Sequence, residues 1–217
     1  MSTINNIYKW IYIIQILLSH LISYATSIAL NYLWSFGSLA GLFLVFQIIT
    51  GIIVSIHYEA SVLAFAFIEH LIHDITFGDI LRYLHSTGAS IFFALIFCHI
   101  GRGLYFGSFL LPRIFIWLSG ILCFIIIISI AFLGYVLPWG EISYWGATVI
   151  TNLIGSLPFS TGSIILQNLL GDFILDGTVL RRFLSFHFVL PFILILVICF
   201  HLIFLHFIGS SNIFGVS

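Results

Sequence analysis

The chain has 217 residues, of which 62% are hydrophobic and only 6% are charged. A soluble domain carries roughly 25% charged residues, so this composition excludes a water-soluble globular protein and indicates a membrane protein. The formal net charge of −1 provides no basic surface, which argues against nucleic acid as a partner.

Four stretches are long and apolar enough to cross a bilayer, which takes about 20 residues of helix. In chain order they are span A at about 33–56, span B at about 80–106, span C at about 113–136 and span D at about 183–208. Pro138 follows span C, where it ends the helix. We therefore expect an all-α integral membrane four-helix bundle, with residues 33–217 forming one domain.

Two further apolar regions are ambiguous. Residues 7–30 are interrupted by polar side chains such as Lys9 and His20, and we interpret residues 1–32 as an interfacial amphipathic helix. The alternative is a further span. Residues 148–170 are broken by glycines and by Pro158, which favours short surface helices between spans C and D. If this region crossed the membrane instead, spans B and D would run antiparallel.

Histidine inside a membrane span is rare and usually functional. Span B contains His85 and His99, and span D contains His187 and His201, so both pairs are 14 residues apart. In a left-handed bundle 14 residues make four turns, which places each pair on one helix face at two depths about 21 Å apart. With B and D parallel, His85 faces His187 and His99 faces His201; the antiparallel alternative exchanges the partners.

Matched histidine pairs suit haem iron, which needs one axial nitrogen on each side of the ring. A lone intramembrane histidine is often only a hydrogen-bonded bundle residue, but that interpretation does not explain two pairs with equal spacing. The sequence has no C-x-x-C-H motif for covalent attachment. The histidines therefore predict two non-covalent b-type haems, one above the other.

Glycines repeat the same interval of 14 residues. Span A contains Gly37 and Gly51, and span C contains Gly120 and Gly134. A macrocycle packed in a bundle needs patches without side chains, and these glycines would provide them. Because A and C run opposite to B and D, we expect Gly37 and Gly120 near the level of His99. Gly51 and Gly134 should then lie near the level of His85. Ordinary small-residue packing between helices is the alternative.

Three arginines lie near the histidines and are candidates for binding haem propionates. Arg82 precedes His85 by one turn, Arg102 follows His99 by one turn, and Arg182 lies five residues before His187. The alternative is that their charged ends simply extend to the membrane surface.

Several strings in the chain are long and specific. They are WSFGSLAG at 34–41, LRYLHSTGASIFF at 81–93, HIGRGLYFGS at 99–108, GYVLPWGEISYWGATVITNL at 134–153, RFLSFHFVLPF at 182–192 and HLIFLHFIGSSN at 201–212. On these motifs the chain resembles the N-terminal part of cytochrome b of the ubiquinol–cytochrome c oxidoreductase, respiratory complex III. The related photosynthetic subunit has one more residue between the span D histidines and a cysteine before the Phe-Gly pair. The interval of 14 and Ser35 before Phe36 favour the respiratory branch.

The resemblance implies a function in electron transfer. The chain would pass electrons across the membrane through two b haems, between a quinol-oxidising and a quinone-reducing site, coupled to proton translocation. His85 and His187 would hold the low-potential haem, and His99 and His201 the high-potential haem. Ubiquinol and ubiquinone would be the substrates.

The resemblance also implies residues for both quinone pockets. Those near the quinol-oxidising site would be Tyr135, Pro138, Trp139, Glu141, Ile142, Trp145, Gly146 and Ala147. Those near the quinone-reducing site would be Trp34, His206, Ser210 and Asn212. An interfacial aromatic belt is the alternative for the tryptophans of the first set, and an interfacial histidine without a role is the alternative for His206.

The resemblance implies partners and a location as well. The family continues with four more spans, so a second chain or a longer gene product would supply the C-terminal half, and each quinone pocket would be incomplete here. The chain would act as an enzyme only within the complex, with the iron–sulfur protein and cytochrome c1, in a dimeric assembly surrounded by lipid. The mitochondrial inner membrane is the expected location, and the bacterial plasma membrane is the alternative.

Two other functions remain as alternatives at this point. One is a dihaem cytochrome b membrane anchor of another quinone-linked dehydrogenase, which shares bis-histidine bundles but not the GYVLPWG string. The other is a haem-free transporter subunit in which the histidines relay protons, although a relay has no reason to place them in matched pairs.

Overall fold

A computed structural model of the chain describes residues 10–12, 14–15, 18–19, 26–158, 161–170 and 177–211. Within these ranges the regular structure is helical. A short 3₁₀ helix, Tyr32–Ser35, leads into the first long helix. The α-helices are α1 (Phe36–Ile56), α2 (Ala64–Asp74), α3 (Gly78–Tyr105), α4 (Ile114–Val136), α5 (Glu141–Gly155), α6 (Thr161–Leu170) and α7 (Gly177–Ile208).

Four of these helices, α1, α3, α4 and α7, are long and apolar enough to cross a membrane. With the 3₁₀ turn counted into the first, they contain 25, 28, 23 and 32 residues, more than the roughly 20 that a bilayer requires. The predicted all-α, four-span fold is confirmed. Helix α7 is already helical at Gly177, before the predicted start at Phe183. The reason is that Arg181 and Arg182 end the apolar run without ending the helix.

The four long helices associate as two pairs, α1 with α3 and α4 with α7. A cluster of buried side chains in the middle of the bundle joins the two pairs and consists of Ala40, Leu44, Phe92, Cys123, Ile127 and Leu194. A second cluster lies at the end of the bundle that carries the short helices and includes Ala64, Val136, Ala147, Leu180 and Phe183. The helix pairs are therefore in apolar contact at mid-depth.

The short helices cap one end of the bundle. Helices α5 and α6 have 15 and 10 residues, too few to cross a bilayer. The structure thus has short helices between the third and fourth spans, as the glycines and Pro158 predicted. Helix α2 was not predicted; its buried residues Ala64, Ile68 and Leu71 recur at helical spacing and anchor it.

The predicted interfacial helix at 1–32 falls largely outside the described residues. Of that region, residues 10–12, 14–15 and 18–19 are helical. The division of the chain into this segment and a domain at 33–217 stays a prediction.

Candidate functional site

The first candidate level lies between α3 and α7, near the end of the bundle that carries the short helices. The ring centres of His85 and His187 are 6.3 Å apart, and the two rings are nearly perpendicular, at 87°. Each imidazole contributes one side of a narrow gap between the helix pairs.

The second level repeats this arrangement at the other end of the bundle. The ring centres of His99 and His201 are also 6.3 Å apart, with an interplanar angle of 69°. The apolar cluster at mid-depth, which contains Phe92 and Leu194, separates the two levels. The structure therefore brings these four histidines together in two pairs, His85 with His187 and His99 with His201.

The gap between the rings has the width that one metal ion would need. Metal–imidazole bonds are about 2 Å long and the ligating nitrogen lies about 1 Å from its ring centre, so two axial rings have centres about 6 Å apart. Both levels match this width. The histidine pairs therefore fit a haem iron with one imidazole on each side.

At the first level, Nδ1 of each ring is already engaged. The His85 Nδ1 is 3.0 Å from the hydroxyl of Thr50 on α1. The His187 Nδ1–H donates to the backbone carbonyl of Ile130 on α4 at 2.8 Å. These contacts leave Nε2 as the nitrogen for a metal, and they orient both rings.

At the second level, the two rings differ. The His201 Nδ1 is 2.9 Å from the hydroxyl of Ser119 on α4. The His99 Nδ1 instead lies 3.4 Å from a guanidinium nitrogen of Arg102, on its own helix. One ring of this level thus has a hydroxyl beside Nδ1, and the other has a cation.

The four glycines with the same interval each lie against one of these rings. A β-carbon added to Gly37 or Gly51 would lie 2.9 Å from Cε1 of His99 or His85, respectively. At Gly134 it would lie 2.5 Å from Cε1 of His187, and at Gly120 it would lie 3.3 Å from Cε1 of His201. The glycines therefore let the imidazoles lie directly against the backbones of α1 and α4.

The three arginines that were predicted to bind propionates lie in different surroundings. Arg102 lies over the ring of Trp34, 5.4 Å from its centre, and its Nε is buried without a hydrogen-bond partner among the described residues. Arg82 lines a cavity together with His85. Arg182 lies on α7 outside the residues that line this cavity. Arg82 thus lies at the level of His85 and Arg102 at the level of His99, so each level has a guanidinium that could pair with an anionic group.

The cavity at the first level has a volume of about 1330 Å³ and extends from the histidines to the end of α4. Typical small-molecule pockets measure roughly 300–1,000 Å³, so this one has room for a macrocycle and further ligand atoms. Four of the predicted quinol-pocket residues line it, and they are Tyr135, Pro138, Glu141 and Ile142.

The other four predicted quinol-pocket residues lie elsewhere. Ala147 is fully buried in the apolar cluster at the end of α4. Trp139, which has a φ of +55°, packs against the same cluster, and Trp145 is 58% exposed. Gly146 approaches the ring of Tyr135, with an added β-carbon 3.5 Å from its Cε1.

The opposite end of the bundle carries four buried polar atoms without a partner in the described part of the chain. They belong to Trp34, Arg102, Ser108 and Ser211. His206 and Ser210 lie at the same end, and the Ser210 carbonyl accepts from Arg113 at 3.1 Å. Asn212, the remaining predicted residue, lies outside the described residues.

Sequence reasoning missed several of these residues. Ser108 and Ser211 gave no signal, since serine is common at helix ends. Thr50 and Ser119 had a weak one, because each directly precedes a glycine of the 14-residue interval. Gln47 was also missed; its amide donates to the His85 carbonyl at 2.9 Å and accepts from the Ala89 N–H at 3.2 Å.

The chain is similar to known proteins over nearly its whole length. A family model described as cytochrome b/b6/petB matches residues 21–209. A cytochrome b of Phytophthora megasperma is 48% identical over 203 residues, which are 93% of this chain and 53% of the relative. A cytochrome b of Rickettsia conorii is 47% identical over 216 residues, 98% of this chain and 54% of the relative. The chain thus spans about half the length of these relatives.

One solved structure is similar in fold as well. It is titled a hyperthermophilic respiratory complex III, and it aligns with a TM-score of 0.84 and 29% sequence identity. The alignment covers 96% of this chain and 57% of that one.

Proposed function

The chain belongs to the cytochrome b family, and on that premise we propose that it is the dihaem electron-transfer part of a respiratory quinol–cytochrome c oxidoreductase. Two b-type haems would be its cofactors. Electrons would cross the membrane between a quinol-oxidising and a quinone-reducing site, coupled to proton translocation. One observation carries the proposal: two histidine pairs, each with ring centres 6.3 Å apart, lie at two depths of one membrane bundle.

The residues that would hold the haems follow from the two levels. His85 and His187 would ligate one iron, and His99 and His201 the other, each through Nε2. Bound in this way, a haem supplies a one-electron redox centre within the membrane. Arg82 and Arg102 would each pair with a propionate, Arg102 offering a buried Nε without a partner among the described residues. Arg182, outside the cavity, has less geometric support.

The protein's own contribution is orientation and insulation. The four glycines allow the imidazoles to lie close to the backbone, and the Nδ1 partners hold three of the rings at a defined angle. The apolar cluster around Leu194, which is fully buried, keeps water out of the region between the levels. An apolar environment with fixed ligands reduces the reorganisation energy of electron transfer, because neither solvent nor ligands have to move far.

We place the quinol-oxidising site at the cavity beside the first level. Tyr135, Pro138 and Ile142 supply a flat apolar wall, and the exposed Glu141 at the start of α5 supplies a carboxylate at its rim. The cavity opens between the helix pairs, which is where a quinol dissolved in the bilayer would enter.

The quinone-reducing site belongs at the other end of the bundle. His206 and Ser210 would face the quinone there, and Trp34 lies at the same end of the bundle. The buried hydroxyls of Ser108 and Ser211 extend this set, because a quinone carbonyl is an acceptor that such groups can satisfy.

The wider assembly also belongs to the proposal. As a multi-pass membrane protein with relatives in a eukaryote and a bacterium, the chain would lie in the mitochondrial inner membrane, the bacterial plasma membrane being the alternative. The iron–sulfur protein, cytochrome c1 and the remaining half of cytochrome b would complete the quinone pockets in a dimeric complex.

Haem stoichiometry tests the proposal. The chain is expressed in membranes, purified in detergent and analysed by pyridine haemochrome and by a reduced-minus-oxidised spectrum. Two b haems per chain are expected. A chain that binds none would exclude the dihaem function and favour a proton relay. Two haems without quinol oxidation in the complete complex would favour a membrane anchor of another dehydrogenase.

A further inference from the structure

Two hydroxyl groups in the bundle are in an unusual position, each between a helix carbonyl and an imidazole. The Thr50 hydroxyl lies 2.9 Å from the Phe46 carbonyl of its own helix, and the Ser119 hydroxyl lies 2.9 Å from the Ile116 carbonyl. A hydroxyl has one proton and two lone pairs. Since a carbonyl can only accept, the proton of each hydroxyl is directed at the backbone.

The lone pairs that remain on each hydroxyl oxygen determine which nitrogen of the neighbouring imidazole carries the proton. With its proton committed, each hydroxyl can only accept from the imidazole, so the ring nitrogen that faces it must carry hydrogen. This makes His85 and His201 Nδ1–H tautomers, with a free lone pair on Nε2. Nε2 with a lone pair is the form that binds a metal.

We propose that Thr50 and Ser119 are positioning residues that hold His85 and His201 in the metal-binding tautomer and lower the midpoint potential of the haem at each level. The proposal rests on the haem-binding function given above. A hydrogen bond accepted from Nδ1–H makes the imidazole a stronger electron donor. A stronger donor stabilises the oxidised metal relative to the reduced one, so the potential falls.

The two levels do not depend equally on these hydroxyls. At the first level, the backbone carbonyl of Ile130 holds His187 in the Nδ1–H tautomer. Loss of the Thr50 hydroxyl therefore still leaves one of the two rings in the metal-binding form. At the second level, the group nearest to Nδ1 of His99 is the Arg102 guanidinium, which only donates. Ser119 is therefore the acceptor on which the second level relies, and its loss should weaken haem retention more.

The amide of Gln47 also lies close to His85. Its nitrogen can only donate and faces Nδ1 at 3.3 Å, which opposes a proton on Nδ1, but the Thr50 hydroxyl is closer, at 3.0 Å. The same amide nitrogen donates to the His85 backbone carbonyl at 2.9 Å. Gln47 thus holds the backbone of the ligand helix, and Thr50 holds the ring.

The test uses membranes that contain the complete protein and its partner subunits. Thr50→Val and Ser119→Ala remove the hydroxyls, while Thr50→Ser and Ser119→Thr keep them. Thr151→Val and Ser129→Ala are matched controls, because these hydroxyls also bond to a helix carbonyl at 2.9 Å and face no histidine. Potentiometric titration gives the midpoint potential of each haem, and the low-spin EPR signal reports the geometry of its axial ligands.

Each hydroxyl deletion should raise the potential of one haem only. If the histidine ligands then favour the oxidised over the reduced metal about tenfold less strongly, the midpoint potential rises by about 59 mV for a one-electron couple. Thr50→Val should shift the haem at His85, and Ser119→Ala the haem at His201. The hydroxyl-keeping variants should restore the potential, and the controls should leave both haems unchanged.

Several results would overturn the inference. They are unchanged potentials in both deletion variants, an equal shift of both haems, or a loss of haem that Thr50→Ser and Ser119→Thr do not prevent. Loss of haem in a deletion variant that the hydroxyl-keeping variant restores supports it. If the unmodified protein contains no b haem, the proposed function fails together with this inference; normal haems with unshifted potentials overturn the inference alone.

Discussion

Replacing Gly134 with alanine tests whether the glycines determine where the histidine rings can lie. A β-carbon at this position would lie 2.5 Å from Cε1 of His187 and 3.0 Å from its Nδ1. Ordinary contacts begin at 3.4 Å, so the imidazole would have to move by about 0.9 Å. Metal–ligand distances vary by only about 0.2 Å, and the hydrogen bond to Ile130 would be strained at the same time.

We expect Gly134→Ala to lose most of the haem at the His85 level and to keep the other. About one haem per chain should remain in the pyridine haemochrome assay, and the difference spectrum should fall to about half its amplitude. Alanine is favoured over glycine in a helix interior by roughly 1 kcal/mol, so a weakened helix cannot account for the loss.

The other glycines provide a graded series of controls. Gly120→Ala places its β-carbon 3.3 Å from His201, which a shift of a few tenths of an ångström relieves, so both haems should remain. Gly41→Ala adds a β-carbon with nothing within 4 Å. Two haems with an unchanged spectrum in Gly134→Ala, or as much haem loss in Gly41→Ala as in Gly134→Ala, would show that the glycines do not determine the ring positions.

Three further substitutions test the two histidine levels and the apolar cluster between them. His99→Ala should remove one haem and leave the other, measured as haem per chain; loss of both would show that the levels are not independent. Arg102→Gln should lower the midpoint potential of the haem at His99 by tens of millivolts, because a nearby cation disfavours the oxidised metal; an unchanged or higher potential in a redox titration would contradict this. Leu194→Ala should lower stability by about 2–5 kcal/mol, because Leu194 is fully buried, while both haems remain. Thermal unfolding in detergent measures it against Leu196→Ala, whose side chain is 62% exposed and should cost far less.

Much of the fold could be predicted because membrane spans depend on local composition. The apolar runs that predict spans A, B and C end within two or three residues of α1, α3 and α4. Span D was placed too late, since Arg181 and Arg182 interrupt the hydropathy pattern while the backbone remains helical. Helix α2 was missed because an 11-residue amphipathic helix gives only a short periodic signal.

The quinol-pocket residues show where a motif alone is insufficient. The string that contains Tyr135, Pro138 and Ala147 is contiguous in sequence, and the helix that starts at Glu141 turns its residues to different sides. One face, with Ser143 and Ala147, is buried against the bundle. Only part of the string can therefore line the cavity.

The four spans, and the interval of 14 residues that puts histidines and glycines on single helix faces, can be read from the amino-acid sequence. The spans follow from the apolar bilayer, and the shared helix face follows from the helical repeat. Both depend only on the residues within one segment. Which hydroxyl or carbonyl contacts each imidazole depends instead on how α1 and α4 are rotated against α3 and α7, and this is visible only in the folded bundle. Thr50 and Ser119 bond to their own helix like many other hydroxyls, and only the neighbouring helix reveals the ring that each of them faces.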